Sequence, residues 1–196
     1  METVNLTEHV TTTKRIYEGR VINLRVDTVT LPNGKTSTRE IVEHRGAVAM
    51  VPVLSNGDIV LVKQYRHAAS GILLEIPAGS LNENEDAIAS AHRELAEEIK
   101  YSARRMIPLF SVFMAPGYTT EKIHIYAALD LEPCPGTLDE DEFLEIVSMP
   151  LAKAVEAIRT GEIDDAKSVS AILYYSANLE RLSDMKIDYT PRKGSV

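Results

Sequence analysis

Residues 79–101 read GSLNENEDAIASAHRELAEEIKY, and this stretch decides the fold. Ile88, Ala91, Leu95 and Ile99 recur at the period of one helix face, which predicts a helix from about Asp86 to Ile99. At roughly 100° per residue, Glu94, Glu97 and Glu98 fall on one arc beside that apolar stripe. Carboxylates so placed repel one another, and a hard divalent cation is the natural partner for clustered oxygen ligands. An ordinary solvated acidic face is the other reading, because Arg93 and Lys100 stand close by as countercharges. Spacing alone leaves both open.

Outward from this helix the apolar period changes to that of strands. Upstream, Arg15–Tyr17, Val21–Val29 and Thr36–Glu43 carry β-branched residues in rough alternation. The turn Leu31-Pro32-Asn33-Gly34 makes the last two a hairpin. Ala47–Leu54 and Asp58–Gln64 flank Ser55-Asn56-Gly57 and read as a second hairpin, in apolar runs suited to strands buried on both faces. Gly71–Ile76 is a further strand ending at Pro77-Ala78-Gly79. Downstream, Ile107–Met114 and Lys122–Leu129 are strands separated by Pro116-Gly117-Tyr118. The acidic loop 139–142 precedes a strand at Leu144–Met149. Leu151–Thr160 is an amphipathic helix stopped by Gly161, and Asp164–Leu182 reads as a second, longer one. The order is α+β, without the strict alternation of a doubly wound sheet. GxGxxG and Walker signatures are absent from the sequence.

Composition narrows the chemistry. With 21 Lys and Arg against 29 Asp and Glu, the net charge is −8. That balance argues against nucleic acid and anionic membranes as partners. Phosphorylated metabolites stay open, provided metal ions bridge the like charges. The single cysteine, Cys134, excludes an internal disulfide framework and a multi-cysteine metal site. No apolar run approaches the roughly 20 residues of a membrane span, and Met1–Thr13 lacks the apolar core of a signal peptide, so a soluble, cytoplasmic protein is expected.

The stretch at 79–101 resembles the Nudix box, G-x5-E-x7-R-E-U-x-E-E-x-G-U with U a bulky apolar residue. Gly79, Glu85, Arg93, Glu94, Leu95, Glu97 and Glu98 stand on the pattern, and Tyr101 holds the final apolar place. Lys100 departs from it, standing where the family has a glycine that ends the helix. A left-handed backbone there strains any side chain, so the path after the helix is the feature in question. The resemblance implies a Nudix fold, mixed β-sheets sandwiched between helices, with a small N-terminal β-subdomain. It implies Mg²⁺ or Mn²⁺ held by Glu94 and Glu98, with Glu97 sharing and the Ala78 carbonyl adding a ligand. Arg93 would orient the carboxylates, with Glu85 as its partner.

Features outside the box resemble the ADP-ribose pyrophosphatase subgroup. Pro116, fifteen places after Tyr101, stands at that subgroup's marker position, followed by Gly117. Val42–Val48, Lys63–Arg66, Leu74–Gly79 and Asp141–Lys167 are similar to its segments, so the likeness covers roughly residues 14–180. Hydrolysis of ADP-ribose to AMP and ribose 5-phosphate is the implied activity. Arg66 would clamp the phosphates, and Pro116 and Gly117 would contact substrate. The general base would come from the acidic loop, Glu142 or Glu140, with Glu121 a weaker choice. Residues 1–45 would form the β-subdomain and reach across a homodimer to build the partner's adenine pocket, with Tyr17, Tyr65 and Tyr118 as candidate stacking rings. Residues 46–183 would be the hydrolase domain and 184–196 a tail. The rivals are another small-molecule nucleoside diphosphate sugar (GDP-mannose, a UDP-sugar), a dinucleoside polyphosphate, or a Nudix sensor without catalysis. His44 and His124 have no zinc spacing and are read as structural.

Overall fold

A computed structural model describes residues 4–138, 142–183 and 185. The chain forms two compact units: residues up to Gly46 with Phe113–Lys122, and the remainder.

In the first unit β1 (His9–Glu18), β2 (Ile22–Thr30) and β3 (Thr36–His44) form an antiparallel sheet in that order. Gly34, at φ 79°, closes the β2–β3 turn by donating to Leu31 O at 2.8 Å. β1 is exposed along its whole length and β2 buries Val29 and Asp27. The Asp27 carboxylate is satisfied by Thr13 Oγ1 at 2.7 Å and Arg25 Nε at 3.0 Å. The loop after the later strand at 101–113 joins this sheet: Val42 N donates to Tyr118 O at 2.8 Å and Thr120 N to Val42 O at 3.0 Å.

The second unit holds two further sheets. β4 (Ala47–Pro52), β7 (Ala78–Ser80), β8 (Tyr101–Phe113) and β9 (Lys122–Pro133) lie in the order β7-β4-β9-β8. Here β4 runs parallel to β9 and antiparallel to β7. β5 (Asp58–Arg66), β6 (Gly71–Glu75) and β10 (Leu144–Pro150) form an antiparallel sheet, β10-β5-β6. The helices are α1 (Ala87–Ile99), α2 (Leu151–Thr160), α3 (Ala166–Ala177) and α4 (Leu179–Ser183). α1 packs on β4 and β7, α2 on β5 and β10, and α3 on β4.

Three sequence expectations need correction. Ala47–Leu54 and Asp58–Gln64 make a hairpin only at its tip, where Val53 bridges Ile59 and Leu54 N donates to Asp58 O at 2.8 Å, before β4 and β5 part into different sheets. Both runs are buried through their centres, and β4 takes β9 and β7 as neighbours while β5 takes β6 and β10. Ala78–Ser80, where the sequence reading places no strand, pairs with β4 as β7. The last helix is broken at Asn178, whose Nδ2 donates to Tyr174 O at 2.8 Å and competes with the helical ladder. Among the described residues no helix is long and apolar enough to cross a membrane.

The core of the second unit joins α1 to the sheets. Ala91, Leu95 and Ile99 are buried against Val48, Met50, Val60, Val62, Met106 and Tyr126, with Ile88 partly buried at the edge. Burying a Leu or Ile side chain is worth about 1.5–3 kcal/mol, so this stripe fixes the rotation of α1 and with it the direction of the carboxylates beside it.

Candidate active site

α1 begins where the sequence places it. Asp86 caps it, its side chain accepting from Ala89 N at 3.2 Å. It ends on Lys100 at φ 62°, ψ 37°, the left-handed conformation that the glycine of the motif would adopt. The lysine keeps the turn in spite of its Cβ: its Nζ donates to Glu97 O at 2.7 Å, and its carbonyl accepts from Cys134 N at 3.0 Å. The chain then passes straight into β8, so the substitution leaves the path after the helix intact.

Three carboxylates gather around one guanidinium, and a fourth, Glu98, lies beside Glu94 without touching it. Glu85 accepts two bonds from Arg93, at 2.9 and 3.0 Å, and a third from Asn82 N at 3.0 Å. Arg93 Nη1 also lies 2.8 Å from Glu94 Oε1 and 2.8 Å from Glu97 Oε2. Glu98 accepts from Ala78 N at 3.1 Å. Glu94 and Glu98 are 7% and 2% exposed, low enough that burial governs their ionisation. Burial pushes the Glu94 carboxyl up to about 7 against the pull of Arg93, with the charges of Glu97 and Glu142 adding to the rise. Burial pushes Glu98 up to about 8, helped by Glu94 and Glu142 and opposed by the Ala78 N–H and Arg66. Glu85 goes the other way, to about 2, because the Arg93 hydrogen bonds outweigh its desolvation.

The residues fit a hard divalent cation. Glu94 and Glu98 are oxygen donors with too little positive charge around them, the condition such an ion relieves. Gly79 leaves the space the Glu94 carboxylate occupies: a Cβ there would lie 1.9 Å from Glu94 Cδ. Among the described residues no three acidic, His or Cys side chains already converge as a ligand set. Arg93 draws Glu97 and one oxygen of Glu94 to itself, which accounts for that.

The other expected site residues divide. Glu142 is close enough to raise the pKa of both Glu94 and Glu98. Glu140 lies outside the described residues. Arg66 is near enough to Glu98 to lower its pKa. It is also held by Glu75, through Nε at 3.0 Å and Nη2 at 2.8 Å. Pro116, Gly117 and Glu121 belong to the first unit, with Pro116 and Gly117 in a turn closed by Tyr118 N donating to Ala115 O at 3.1 Å. His44 Nδ1 accepts from Gly46 N at 3.0 Å and His124 bonds Ser111 at 2.9 Å, in keeping with structural roles. Sequence reasoning missed Glu75, Lys167 and Asp165. Glu75 is 1% exposed and accepts from Lys167 Nζ at 2.6 Å, and Lys167 reaches Asp165 at 2.8 Å. Their separation in the chain gives no local signal.

Comparison with known proteins decides the family. The NUDIX domain family matches residues 43–172, and the nucleoside diphosphate sugar hydrolase N-terminal domain matches residues 8–42. The chain belongs to the Nudix family. Its relatives include an ADP-ribose pyrophosphatase of Bacillus subtilis (strain 168), 40% identical over 87% of this chain and 93% of the relative. A methanol dehydrogenase activator of Bacillus methanolicus is 44% identical over 83% of this chain and 89% of its own. A GDP-mannose pyrophosphatase of Shigella flexneri is 32% identical over 69% and 79%. In fold, this Nudix hydrolase resembles a crystal structure of an ADP compounds hydrolase, with a TM-score of 0.82 at 24% identity, covering 94% of this chain and 100% of that one.

Proposed function

We propose that this Nudix hydrolase cleaves the diphosphate of ADP-ribose to AMP and ribose 5-phosphate, with Mg²⁺ or Mn²⁺ as cofactor. The observation that carries the reading is the charge-poor pair Glu94 and Glu98, buried together beside Gly79. The 40% identity to an ADP-ribose pyrophosphatase supports the choice of substrate.

Glu94 and Glu98, with the Ala78 carbonyl, would hold the cation, and Glu97 would share in it. Bound there, a divalent ion supplies positive charge against both phosphates and Lewis acidity at phosphorus. Arg93, held by Glu85, orients Glu94 and Glu97 directly. Glu142 accepts the proton of the attacking water, with Glu140 as the other candidate. Arg66 clamps the diphosphate. Pro116 and Gly117, at the subgroup's marker position, are the further substrate-binding candidates. Residues 1–45 form the exchanged element of a homodimer; a monomer in sedimentation at micromolar concentration would contradict this.

GDP-mannose is the second substrate reading, favoured by the 32% identity to a GDP-mannose pyrophosphatase. Both are tested by product analysis with Mg²⁺ and a panel of ADP-ribose, GDP-mannose and UDP-sugars, beside Glu98→Gln. AMP and ribose 5-phosphate from ADP-ribose, lost in the variant, is the expected result. Faster turnover of another sugar would replace the substrate, and no turnover of any would overturn the activity.

A further inference from the structure

We propose that Lys167 is a positioning residue that fixes Arg66 beside the carboxylate cluster, acting through Glu75. This rests on the reading of Arg66 as the phosphate clamp.

Arg66 ends β5 and Glu75 ends β6; the register sets Arg66 opposite Gly71 and Glu75 opposite Val62, and the long Arg66 side chain spans that offset to reach Glu75. Both Glu75 oxygens are engaged by Arg66, and Oε2 is shared with Lys167 Nζ, at 2.8 and 2.6 Å. Lys167 stands in the first turn of α3, 9% exposed, and is held by Asp165, the residue that caps that helix. The same turn secures the next peptide of the chain, because Ser168 Oγ accepts from Ile76 N at 2.8 Å. Two residues further on, Ala78 N donates to Glu98. The start of α3 thus anchors the segment that bears both Glu75 and a Glu98 partner.

Lys167 itself touches neither the carboxylates of α1 nor solvent to any extent, so its effect must travel through Glu75. A buried carboxylate between two cations sits where both attractions balance. Without Lys167, Glu75 turns its whole charge on Arg66 and draws it inward, or takes up a proton and loosens it. Either way the guanidinium, 39% exposed at the edge of the cluster, loses its fixed place. Partners that orient a functional group through one intermediary typically change activity about ten- to a hundredfold when removed.

The test uses the full chain with Mg²⁺ and ADP-ribose, comparing Lys167→Met, Lys167→Arg, Arg66→Gln and the double variant Arg66→Gln/Lys167→Met. Lys167→Met is expected to raise KM about tenfold with kcat held within about twofold, Lys167→Arg to restore it, and the double variant to show no further rise over Arg66→Gln. Additive effects, or a lowered melting temperature with unchanged KM, would overturn the inference. Should Lys167→Met not fold, Lys167→Gln, which keeps a donor without the charge, is read the same way. A second readout needs no turnover: the Arg66 Nε–Hε proton–nitrogen resonance of the substrate-free protein, identified by its loss in Arg66→Gln. It should move or broaden in Lys167→Met and persist in Lys167→Arg; an unmoved signal overturns the inference. A moved signal with no ADP-ribose turnover by the native protein would fail the substrate reading and uphold the positioning role.

Discussion

Two charged clusters lie in the second unit, and their charge balance separates them. Around Glu75 two carboxylates, Glu75 and Asp165, face two cations, Arg66 and Lys167. Around Arg93 three carboxylates, Glu85, Glu94 and Glu97, gather on one guanidinium, with Glu98 and Glu142 adding negative charge at Glu94 and Glu98. The first cluster is balanced in charge as it stands. In the second, burial and like charge push Glu94 and Glu98 up to about 7 and 8, so they resist ionising until a cation is supplied. The balanced cluster holds Arg66 in place, and the unbalanced one fits a cation.

Removing a carboxylate should therefore have opposite effects in the two places. Glu98→Gln should lower ADP-ribose hydrolysis by about a thousandfold or more, since the transition-state charge stabilisation lost is several kcal/mol. The same substitution should raise the urea stability of the metal-free protein at pH 8. Glu75→Gln should do the reverse to stability: it takes from Arg66 its bidentate countercharge and leaves Lys167 with Asp165 alone, and urea unfolding should show a loss of about 3 kcal/mol. Equal signs for the two variants would remove the distinction.

The pH dependence of melting sharpens the same contrast. The raised pKa values of Glu94 and Glu98 mean that the folded state holds their protons more tightly than the unfolded chain. Their contribution to stability is full below the ordinary carboxylate range and is lost as pH rises through about 7 and 8. Glu85, at about 2, contributes stability above the ordinary range that is lost as pH falls toward its folded value. Chelated protein should thus melt at lower temperature at pH 8 than at pH 5, and Mg²⁺ should narrow the gap. Smaller effects follow from the glycine and the lysine of the motif. Gly79→Ala should displace the Glu94 carboxylate and weaken Mn²⁺ binding about tenfold, leaving the melting temperature nearly unchanged, as calorimetric titration would show. Lys100→Gly should relieve the left-handed strain and raise unfolding stability by about 1 kcal/mol, less whatever the Nζ bond to Glu97 O returns.

What the sequence disclosed follows from how local each signal is. α1 and its buried stripe were legible because a 3.6-residue period and a motif of fixed spacing lie within one segment. The Glu85–Arg93 pair was legible for the same reason. The sheet partners of β4 and β5 were not, since a run buried on both faces names no partner and a two-sheet crossover looks like a hairpin until the ladders are seen. The break at Asn178 depends on one side chain bonding back to Tyr174. Glu75 and Lys167 stand 92 positions apart, so nothing in either neighbourhood announced their ion pair.

The most direct test of the charge-poor cluster as the metal site is Mn²⁺ titration of the chelator-treated protein, followed by the electron paramagnetic resonance of free ion. Native protein should bind the ion, Glu98→Gln should lose that binding, and a stably folded Lys167→Arg should keep it. Undiminished Mn²⁺ binding by Glu98→Gln would place the metal elsewhere and contradict the account.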